Sequence, residues 1–554
     1  MDRRTVLALV LVAAVILLTP RLFQPPPRLP VIPADSGMIA ESAAVQPVPV
    51  APAAPQSTVS APPSSQSEIP TRVPAETVAV SDSTATFRFT NRGAALVDVE
   101  LGQFRSLGAT SGPVRLGSRG APLVRFQGII GRDTIAFDSA TFRFAGRERV
   151  GRAERLGFEG VVGSDTLRVD YLVQPDSFLV RIDAQVRGRL MSSGGYMLLQ
   201  FAPTLDSYEA DSIDNQRNLA FVYEVGARGS KGTGFGKLDP GERLVVPGPL
   251  TWVALKSKYF IAGVLARDSV SPIAELTITG LARSSSVATH AQGSVVLQPR
   301  LGAFSLDLYA GPQQSNRLRA LGRGFENSNP YGGFLQPVVQ PFAGVVLRVL
   351  LWMRYTFDLG YGWVLVIFGV AVRLILWPLN HKAMRTSLKM QRIQPELNAL
   401  QQKYKSDPQK LQSEMMKVYK DHDMSPFSMF SGCLPLLIPM PILFALFFVF
   451  QSTIEFRGVS FMWLADISQK DPYYILPLVM GVSMFVLSWI GMRNAPPNPQ
   501  TKMMGYVFPV MMTFLLANLA AGLNLYYAVQ NVAALPQQWL IASERARAAT
   551  AKKT

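Results

Sequence analysis

The segment VIFGVAVRLILWPLN (residues 366–380) is apolar along almost its whole length and carries a single charge, on Arg373. Together with the preceding YGWVL it is long enough to predict a helix that crosses a membrane. An arginine at the centre of a bilayer costs about 2.5–3.5 kcal/mol on insertion scales, so such an arginine tends to have a function. The alternative is that Arg373 only extends its side chain to the lipid headgroups, since the cytoplasmic end of the helix is about 9 Å away.

The whole chain is basic and apolar. Its 554 residues include 54 Lys and Arg against 38 Asp and Glu, which gives a net charge of +16, while charged residues make up 17% and hydrophobic residues 48%. A basic protein can bind nucleic acid or use its charges to keep loops in the cytoplasm. In the second half, the basic residues concentrate between the apolar segments and at the C-terminal end, so we expect no direct nucleic-acid partner.

The residue types that catalytic and metal sites need are sparse. Cys433 is the only cysteine, which rules out an intrachain disulfide, and His290, His381 and His422 are far apart in the sequence. The glycine-rich GARGSKGTGFGKL (residues 226–238) lacks the P-loop spacing and the Ser or Thr that would coordinate Mg²⁺. We therefore expect no enzymatic activity, no cofactor and no metal.

The first half of the chain divides by composition. Residues 1–24 combine a basic start with an apolar run, which predicts a transmembrane anchor; a cleaved signal peptide is the alternative. Residues 25–76 are rich in Pro, Ala and Ser and predict a disordered linker. Residues 77–325 alternate apolar and polar positions between turn residues, as in TFRFTN (86–91) and FLVRIDAQV (178–186), so they predict an antiparallel β-sandwich, similar to a β-supersandwich.

The second half predicts helices in and on a membrane. Residues 330–358 are apolar but interrupted by prolines and arginines, which favours an amphipathic helix in the interface. Residues 359–543 contain five predicted spans, with a helical hairpin at 381–425 after the first, and residues 544–554 form a short basic tail. The spans are 360–379, 429–451, 473–492, 503–519 and 523–542, with a tight turn at 520–522. The predicted fold class is thus a multi-domain membrane protein with an N-terminal anchor, a β-sandwich and a five-helix transmembrane bundle.

The distribution of Lys and Arg predicts the orientation of these spans. The hairpin carries Lys382, Arg385, Lys389, Arg392 and further lysines, whereas residues 452–472 carry only two basic residues against three acidic ones. Positively charged loops stay on the cytoplasmic side. We therefore expect a multi-pass protein of the bacterial inner membrane with both termini in the cytoplasm and residues 25–358 in the periplasm.

Polar side chains in the last two spans predict a cavity between helices. Intramembrane polar residues usually face a bundle interior or water, although ordinary hydrogen bonds between helices would also explain them. No acidic residue lies in the spans to neutralise Arg373, so such a cavity would be cationic and suited to a negatively charged guest. The polar residues are Thr513, Asn518, Asn524, Tyr526, Tyr527, Gln530 and Asn531.

Several segments in register resemble the YidC-type membrane protein insertases, in the Gram-negative form with a large periplasmic domain. They are VRLILWPL (372–379), GCLPLLIPMPILFALF (432–447), DPYYILPLVMG (471–481) and GLNLYYAVQN (522–531), together with LTWVALKSKYFIAGVL (250–265) in the β-rich region. The resemblance implies a hydrophilic groove that is open to the cytoplasm and to lipid and closed on the outer side, with Arg373 as its arginine. It covers all five C-terminal spans in order.

The resemblance also implies site residues. It implies that Tyr526 or Tyr527 lines the groove, and that substrate contacts lie near Gly432, Cys433, Ile442, Leu446, Pro509 and Leu515. Two positions depart from the family pattern: Gly369 stands where a threonine is common, and Pro439 where a glutamine is common. We expect a less polar groove at these positions, with Asn518, Gln530 or Asn531 compensating.

The expected function is insertion of nascent membrane proteins into the lipid bilayer, alone or with a Sec-type translocon. The resemblance implies that the hairpin 381–425 contacts the ribosome or signal-recognition components, and membrane lipids are expected partners as well. Two other classes remain open from the sequence. They are a transporter or channel, and a membrane-anchored periplasmic protein that binds carbohydrate through its β-domain.

Overall fold

The computed structural model describes residues 76–226, 229–267, 273–283, 287–329, 336–405, 407–422, 440–492 and 499–550. Val73–Thr554 form one compact unit, in which a strand-rich region precedes a helix-rich region. The predicted anchor at 1–24 lies outside the described residues, as does the predicted linker at 25–76 apart from its last residue.

The strand-rich region contains nineteen strands in its described part. They are β1 (Thr77–Ser81), β2 (Ala85–Thr90), β3 (Ala95–Arg105), β4 (Pro113–Leu116), β5 (Val124–Ile130), β6 (Asp133–Ile135), β7 (Arg143–Val150), β8 (Ala153–Val162), β9 (Asp165–Gln174), β10 (Leu179–Arg187), β11 (Tyr196–Phe201), β12 (Ala220–Val225), β13 (Ser230–Gly234), β14 (Arg243–Pro247), β15 (Leu250–Lys256), β16 (Phe260–Ala266), β17 (Ile273–Gly280), β18 (Ala291–Leu297) and β19 (Ala303–Pro312).

These strands form two antiparallel sheets. The first has the order β1-β2-β3-β5-β11-β18-β17-β14, with β4 beside β3 and β6 beside β5, and the second has the order β13-β12-β15-β16-β19-β10-β9-β8-β7. Phe89 of the first sheet meets Tyr171 of the second with ring centroids 4.7 Å apart, and Phe126 meets Phe304 at 6.1 Å. The sheets therefore pack face to face, as the predicted antiparallel β-sandwich requires.

The alternating sequence produces this packing. In β2, Phe87 and Phe89 are fully buried while Arg88 between them is half-buried, because successive side chains of a strand point to opposite faces. The central strand β16 departs from alternation: all seven of its residues are buried. The sheet is therefore covered on both faces at this strand. Phe325, from the segment that follows β19, contributes to the second covering layer by packing edge-on against Trp252 and Tyr309.

Ten α-helices are described. They are α1 (Arg189–Ser192), α2 (Ser212–Arg217), α3 (Ser315–Ala320), α4 (Gln336–Phe357), α5 (Tyr361–Lys403), α6 (Pro408–Asp421), α7 (Met440–Ser452), α8 (Ile475–Met492), α9 (Pro499–Leu516) and α10 (Ala521–Thr550). The first three belong to the sandwich. Helix α4 occupies most of the segment predicted as an interfacial helix, and α10 continues into the predicted tail.

Helix α5 is continuous from the first predicted span of the bundle into the predicted cytoplasmic hairpin. Its distal half packs against α6 through Ile393 and Leu397, which are buried with Val418 and Tyr419. Helix α6 begins at a proline, and the side chain of Asp407 accepts a hydrogen bond from the backbone of Lys410 at 3.0 Å. This is the N-cap arrangement that favours a helix start.

Two helical segments of the described residues are long and apolar enough to cross a membrane, Tyr361–Pro378 in α5 and Ile475–Met492, which is α8. Ile442–Ser452 in α7 and Gly505–Leu516 in α9 are apolar but shorter. Residues 429–439 of the predicted second span lie outside the described residues.

The turn before the last helix differs from its predicted position. It occupies residues 517–520, and α10 already begins at Ala521, so Gly522 lies within the helix. The glycine is needed for packing, because a Cβ atom there would lie 2.5 Å from the ring of Phe450 in α7. The sequence predicts a turn at Gly522 because glycine is typical of turns, whereas in the structure this glycine permits a close contact between two helices.

Candidate functional site

Arg373 lies at the contact between α5 and α10. Its terminal Nη2 donates a hydrogen bond to the side-chain oxygen of Gln537 at 2.7 Å, and the amide nitrogen of Gln537 donates to the backbone oxygen of Trp377 at 3.2 Å. Gln537 is only 2% exposed. A buried neutral amide therefore connects the arginine to the helix turn that follows it.

The charge of Arg373 has no counter-charge among the described residues. The guanidinium is half-buried, and its Nε is buried without a hydrogen-bond partner. Gln537 offers an oxygen but no negative charge, so the arginine is held in place without being neutralised. A buried polar atom without a partner is uncommon in folded proteins. The site retains the capacity to bind an anionic group.

A second polar contact lies two helical turns away along α10. The amide nitrogen of Gln530 donates to the backbone oxygen of Gly369 at 2.9 Å and lies 3.1 Å from the hydroxyl of Tyr526. A Cβ atom at Gly369 would lie 3.0 Å from the side chain of Val529. Gly369, one of the two departures from the family pattern, therefore brings the two helices close enough for a side chain of α10 to bond the backbone of α5.

The two tyrosines predicted to line a groove differ in burial. Tyr526 is almost fully buried, with its ring 6.0 Å from that of Phe368 in α5. Tyr527 is half-buried, with its ring 6.1 Å from that of Tyr526. Tyr526 thus belongs to the contact between α5 and α10, and Tyr527 lies beside it.

Asn531 lies on another face of α10 from Gln530 and Gln537. Its amide nitrogen donates to the backbone oxygen of Met480 at 3.3 Å and to the hydroxyl of Ser483 at 3.2 Å, both in α8. One residue along a helix corresponds to a rotation of about 100°, which separates Asn531 from its neighbour. The structure therefore assigns Asn531 to the α8–α10 contact rather than to the surroundings of Arg373.

The predicted substrate positions on the second predicted span are not equally accessible. Leu446 of α7 is fully buried in the core of the helix bundle, and Ile442 is half-buried at its edge. Gly432 and Cys433 lie outside the described residues. Leu446 therefore holds the bundle together in this conformation, and Ile442 lies closer to an open surface.

On α9, the predicted substrate positions Pro509 and Leu515 also differ in exposure. Pro509 is buried, and the hydroxyl of Thr513 donates to its backbone oxygen at 2.8 Å. Leu515 is 62% exposed and belongs to an apolar surface with Phe514 and Val510. This side of α9 presents apolar side chains outward, as a helix in contact with lipid or with an apolar guest does.

The loop that joins α7 to α8, residues 453–474, covers one end of the bundle. Ile467 is fully buried, and its backbone oxygen accepts a hydrogen bond from Gly522 at 2.9 Å. The backbone oxygen of Gln469 accepts one from Ala521 at 2.7 Å. The start of α10 is thus bonded to the loop. This end lies opposite to the one from which α5 continues toward α6.

Sequence reasoning missed Gln537. The signal was present, because Gln530 and Gln537 are seven residues apart and so lie on nearly the same helix face. In the described residues, no group of three or more His, Cys, Asp or Glu side chains is arranged to hold a metal ion.

Comparison with known proteins covers both regions of the chain. Residues 77–345 match the family described as YidC periplasmic domain, and residues 352–548 match the family described as 60Kd inner membrane protein. The membrane protein insertase YidC of Anaeromyxobacter dehalogenans (strain 2CP-1) is 32% identical over 391 residues, which cover 70% of this chain and 69% of that protein. The membrane protein insertase YidC of Chlorobaculum tepidum is 31% identical over 420 residues, covering 71% and 68%.

A solved structure of an active YidC insertase with its first transmembrane domain resolved covers 84% of this chain and 93% of its own, with 18% sequence identity and a TM-score of 0.33. The curated relatives are named for protein insertion into a membrane and not for a catalysed reaction, and the matched family is one of inner membrane proteins. The chain therefore belongs to the YidC family of membrane protein insertases, with a periplasmic domain and a role in membrane protein biogenesis.

Proposed function

We propose that this insertase receives hydrophobic segments of newly made proteins in a hydrophilic groove around Arg373 and releases them sideways into the bilayer. The observation that carries the proposal is the half-buried guanidinium whose only described side-chain partner is the neutral Gln537. An attraction between charges is stronger where water is excluded. Arg373 therefore binds acidic groups in the short polar tail of a client while that tail crosses the membrane.

Insertion needs no nucleotide in this mechanism. Each Leu-like residue of the client gains roughly 0.3–0.6 kcal/mol on entering the bilayer, which suffices over a segment of about 20 residues. The obstacle is the polar tail, and the groove shortens its path through the apolar region. Gln530 and Tyr526 lie along the same contact between α5 and α10, with Tyr527 beside it, and Asn531 attaches the other side of α10 to α8.

The released segment leaves along α7 and α9 in this proposal. The exposed apolar side of α9 around Leu515, next to the buried Pro509, supports an exit on that side. Ile442 and Leu446 would contact the client from α7, with Leu446 doing so only after the bundle opens. Gly432 and Cys433 belong to the same proposed path.

We also propose six membrane spans, with the N-terminal anchor at 1–24, the linker at 25–76, the sandwich at 77–325 and the interfacial helix at 330–358. Residues 25–358 then lie in the periplasm, and the five-span core at 359–543 places the hairpin 381–425 and the tail 544–554 in the cytoplasm. The positive charges of the hairpin support this orientation. The loop 453–474 then closes the groove on the periplasmic side.

Clients of the chain are nascent membrane proteins, and lipid surrounds it. Cooperation with a Sec-type translocon, and binding of the ribosome or of signal-recognition components by the hairpin 381–425, are further parts of the proposal. The support for a docking role is the length of α5, which continues as one helix from the bundle into the hairpin.

The test uses purified protein in liposomes and single-span clients that differ only in the number of aspartates in a short translocated tail. We expect Arg373→Glu to lower insertion of the acidic clients at least about tenfold while a client with a neutral tail inserts as before. Arg373→Lys should retain most of the activity, because it keeps the charge. Arg132→Glu, at an exposed turn of the sandwich, is the matched control. Normal insertion of acidic clients by Arg373→Glu would refute the role of the arginine.

A further inference from the structure

A polar cavity of about 330 Å³ lies where the sandwich, helix α4 and the loop 453–474 meet. Its wall is formed by the segment that follows β19, by one side of α4 and by the first residues of the loop. It is separate from Arg373 and its partners, none of which lines it. Among its lining residues are Arg319, Glu326, Arg348, Thr453 and Glu455.

Two of the residues that line this cavity, Glu455 and Glu326, each have a buried carboxylate oxygen without a described partner. One oxygen of Glu455 accepts a hydrogen bond from the backbone of Ser315 at 3.1 Å, while its Oε2 is buried and unpaired in the described structure. Oε2 of Glu326 and the hydroxyl of Thr453 are likewise buried without partners. Burial raises the pKa of the Glu455 carboxyl. Leaving such groups unpaired away from water is costly, and a bound cationic donor would remove that cost.

Two exposed arginines also line the cavity, and we take the side on which they lie as its mouth. Arg319 and Arg348 are both exposed, and neither forms an ion pair with another described residue. Nε of Arg348 donates to the backbone oxygen of Gly344 at 3.1 Å, so the side chain is held against its own helix. Arginine side chains at a rim are suited to phosphate oxygens.

Helix α4 places exposed apolar side chains beside Arg348, where the acyl chains of a bound lipid would lie. Pro341, Val345, Arg348 and Trp352 follow one another at intervals of three or four residues, so they lie on one side of the helix. Val345 and Trp352 are exposed apolar residues on either side of Arg348. Acyl chains attached to a phosphate at the mouth would therefore meet apolar side chains.

We propose that this cavity binds the headgroup of a phospholipid with a primary ammonium, that is, a phosphoethanolamine headgroup. The ammonium enters first and donates hydrogen bonds to Glu455, Glu326 and Thr453, the phosphodiester lies between Arg319 and Arg348, and the acyl chains lie along α4. The volume is at the lower end of the range for small-ligand pockets, which suits a headgroup without its chains.

Other ligands fit this arrangement less well. A choline headgroup has no N–H to donate to the carboxylates, and a glycerol headgroup brings no positive charge. A divalent metal ion would need more oxygen ligands of fixed geometry than two carboxylates supply. The cavity is distinct from the groove, because none of its lining residues is assigned to client binding.

The experiment measures lipids retained by the purified full-length protein in detergent micelles, by native mass spectrometry, with phosphatidylethanolamine, phosphatidylcholine and phosphatidylglycerol offered at equal concentration. We expect the ethanolamine lipid to be retained preferentially, and Glu455→Gln to lower its retention at least about tenfold. Glutamine keeps the oxygen that Ser315 uses, so the loop retains that bond. Glu148→Gln, an exposed carboxylate in β7, is the matched control.

Arg348→Gln provides an independent variant, because an exposed residue can be replaced without risk to folding. It should weaken retention of the ethanolamine lipid while unfolding temperatures stay unchanged. Soluble phosphoethanolamine at the same concentration should fail to displace the lipid, because it lacks the chains that α4 contacts. Equal retention of the three lipids, undiminished retention by Glu455→Gln, or displacement by the soluble headgroup would each overturn the assignment.

Discussion

Arg457 and Glu209 lie 248 residues apart and form a buried ion pair between the loop 453–474 and the sandwich. Nε of the arginine is 3.0 and 2.9 Å from the two carboxylate oxygens, and the side chains are 6% and 2% exposed. Arg457 also donates to the backbone oxygen of Arg105 at 2.9 Å, and its guanidinium lies over the ring of Phe260. The covered end of the bundle is thereby attached to the sandwich by a contact that water does not reach.

Removing one partner of this pair should be strongly destabilising. We expect Arg457→Met to lower the free energy of unfolding by about 3–5 kcal/mol, because the buried Glu209 then loses the guanidinium that pairs with it. Thermal unfolding of the purified protein in detergent measures the effect. Arg143→Met, which breaks an exposed pair with Glu159, is the control and should cost less than about 1 kcal/mol. The double variant Arg457→Met/Glu209→Met should recover most of the loss, and simple addition of the two single losses would contradict the explanation.

Because Gln537 is neutral, it should leave the positive charge of Arg373 available to a client. Gln537→Glu gives the arginine a carboxylate at hydrogen-bond distance, so we expect insertion of clients with acidic tails to fall roughly tenfold. Clients with neutral tails should be unaffected. Gln538→Glu is the matched control, since Gln538 points toward Gly491 of α8. Equal losses in the two variants would show that any acid in α10 is harmful, and that Gln537 has no special relation to Arg373.

Gly522 should tolerate no side chain. Gly522→Ala places a Cβ atom 2.5 Å from the ring of Phe450, and overpacking of this kind costs about 1–3 kcal/mol. The unfolding temperature in detergent should fall accordingly. Gly344→Ala in α4 is the control, because no atom lies within 4 Å of its added Cβ and alanine favours a helix by up to about 1 kcal/mol. An unchanged unfolding temperature in Gly522→Ala would mean that α7 and α10 can separate freely.

Lys256 should give the sandwich a stability that rises with pH. Its amine donates to the side chain of Asn329. Burial of the amine lowers its pKa from 10.5 to about 8. Between these values the unfolded chain binds more protons than the folded one, so stability increases as pH rises from about 8 to about 10.5. The full effect of the lysine is about 3 kcal/mol.

The measurement compares unfolding of the parent protein and of Lys256→Met at several pH values across this window. The slope that the parent shows should be smaller in the variant, whatever the variant's absolute stability. An identical slope in both proteins would assign the pH dependence to other groups.

Much of the fold follows from short-range patterns. Alternation with a period of two places Phe87 and Phe89 on one face of β2, and a run of apolar residues around Arg373 produces the start of α5. Both patterns depend on residues a few positions apart, so the sequence predicts them. The pairing of strands that are distant in the sequence does not follow from such patterns. β9 and β10 are joined by a four-residue turn, so their pairing is predictable from the sequence. β10 also pairs with β19, which begins only at Ala303, and nothing local identifies that strand as its neighbour.

In the site, too, short-range patterns predict some features while others depend on how the helices pack. The sequence predicts that Arg373, Gln530 and Asn531 are polar residues within apolar helices. It does not predict that Asn531 bonds α8 while Gln530 bonds α5, because the rotation of α10 about its axis depends on how its neighbours pack. Its spacing from Gln530 places Gln537 on the same face of α10, but its bond to Arg373 depends on how α5 and α10 pack.

Local sequence patterns are enough to predict where strands and apolar helices lie, which apolar helices carry polar side chains, and that one arginine has no acid near it along the chain. These are consequences of side-chain chemistry and helix or strand period. The folded arrangement is needed to show that Gln537 bonds Arg373, that Arg457 pairs with Glu209, and that two carboxylates and two arginines line one cavity. The physical reason is that each of these contacts joins residues from different elements, and their distance is fixed by packing of whole helices and sheets.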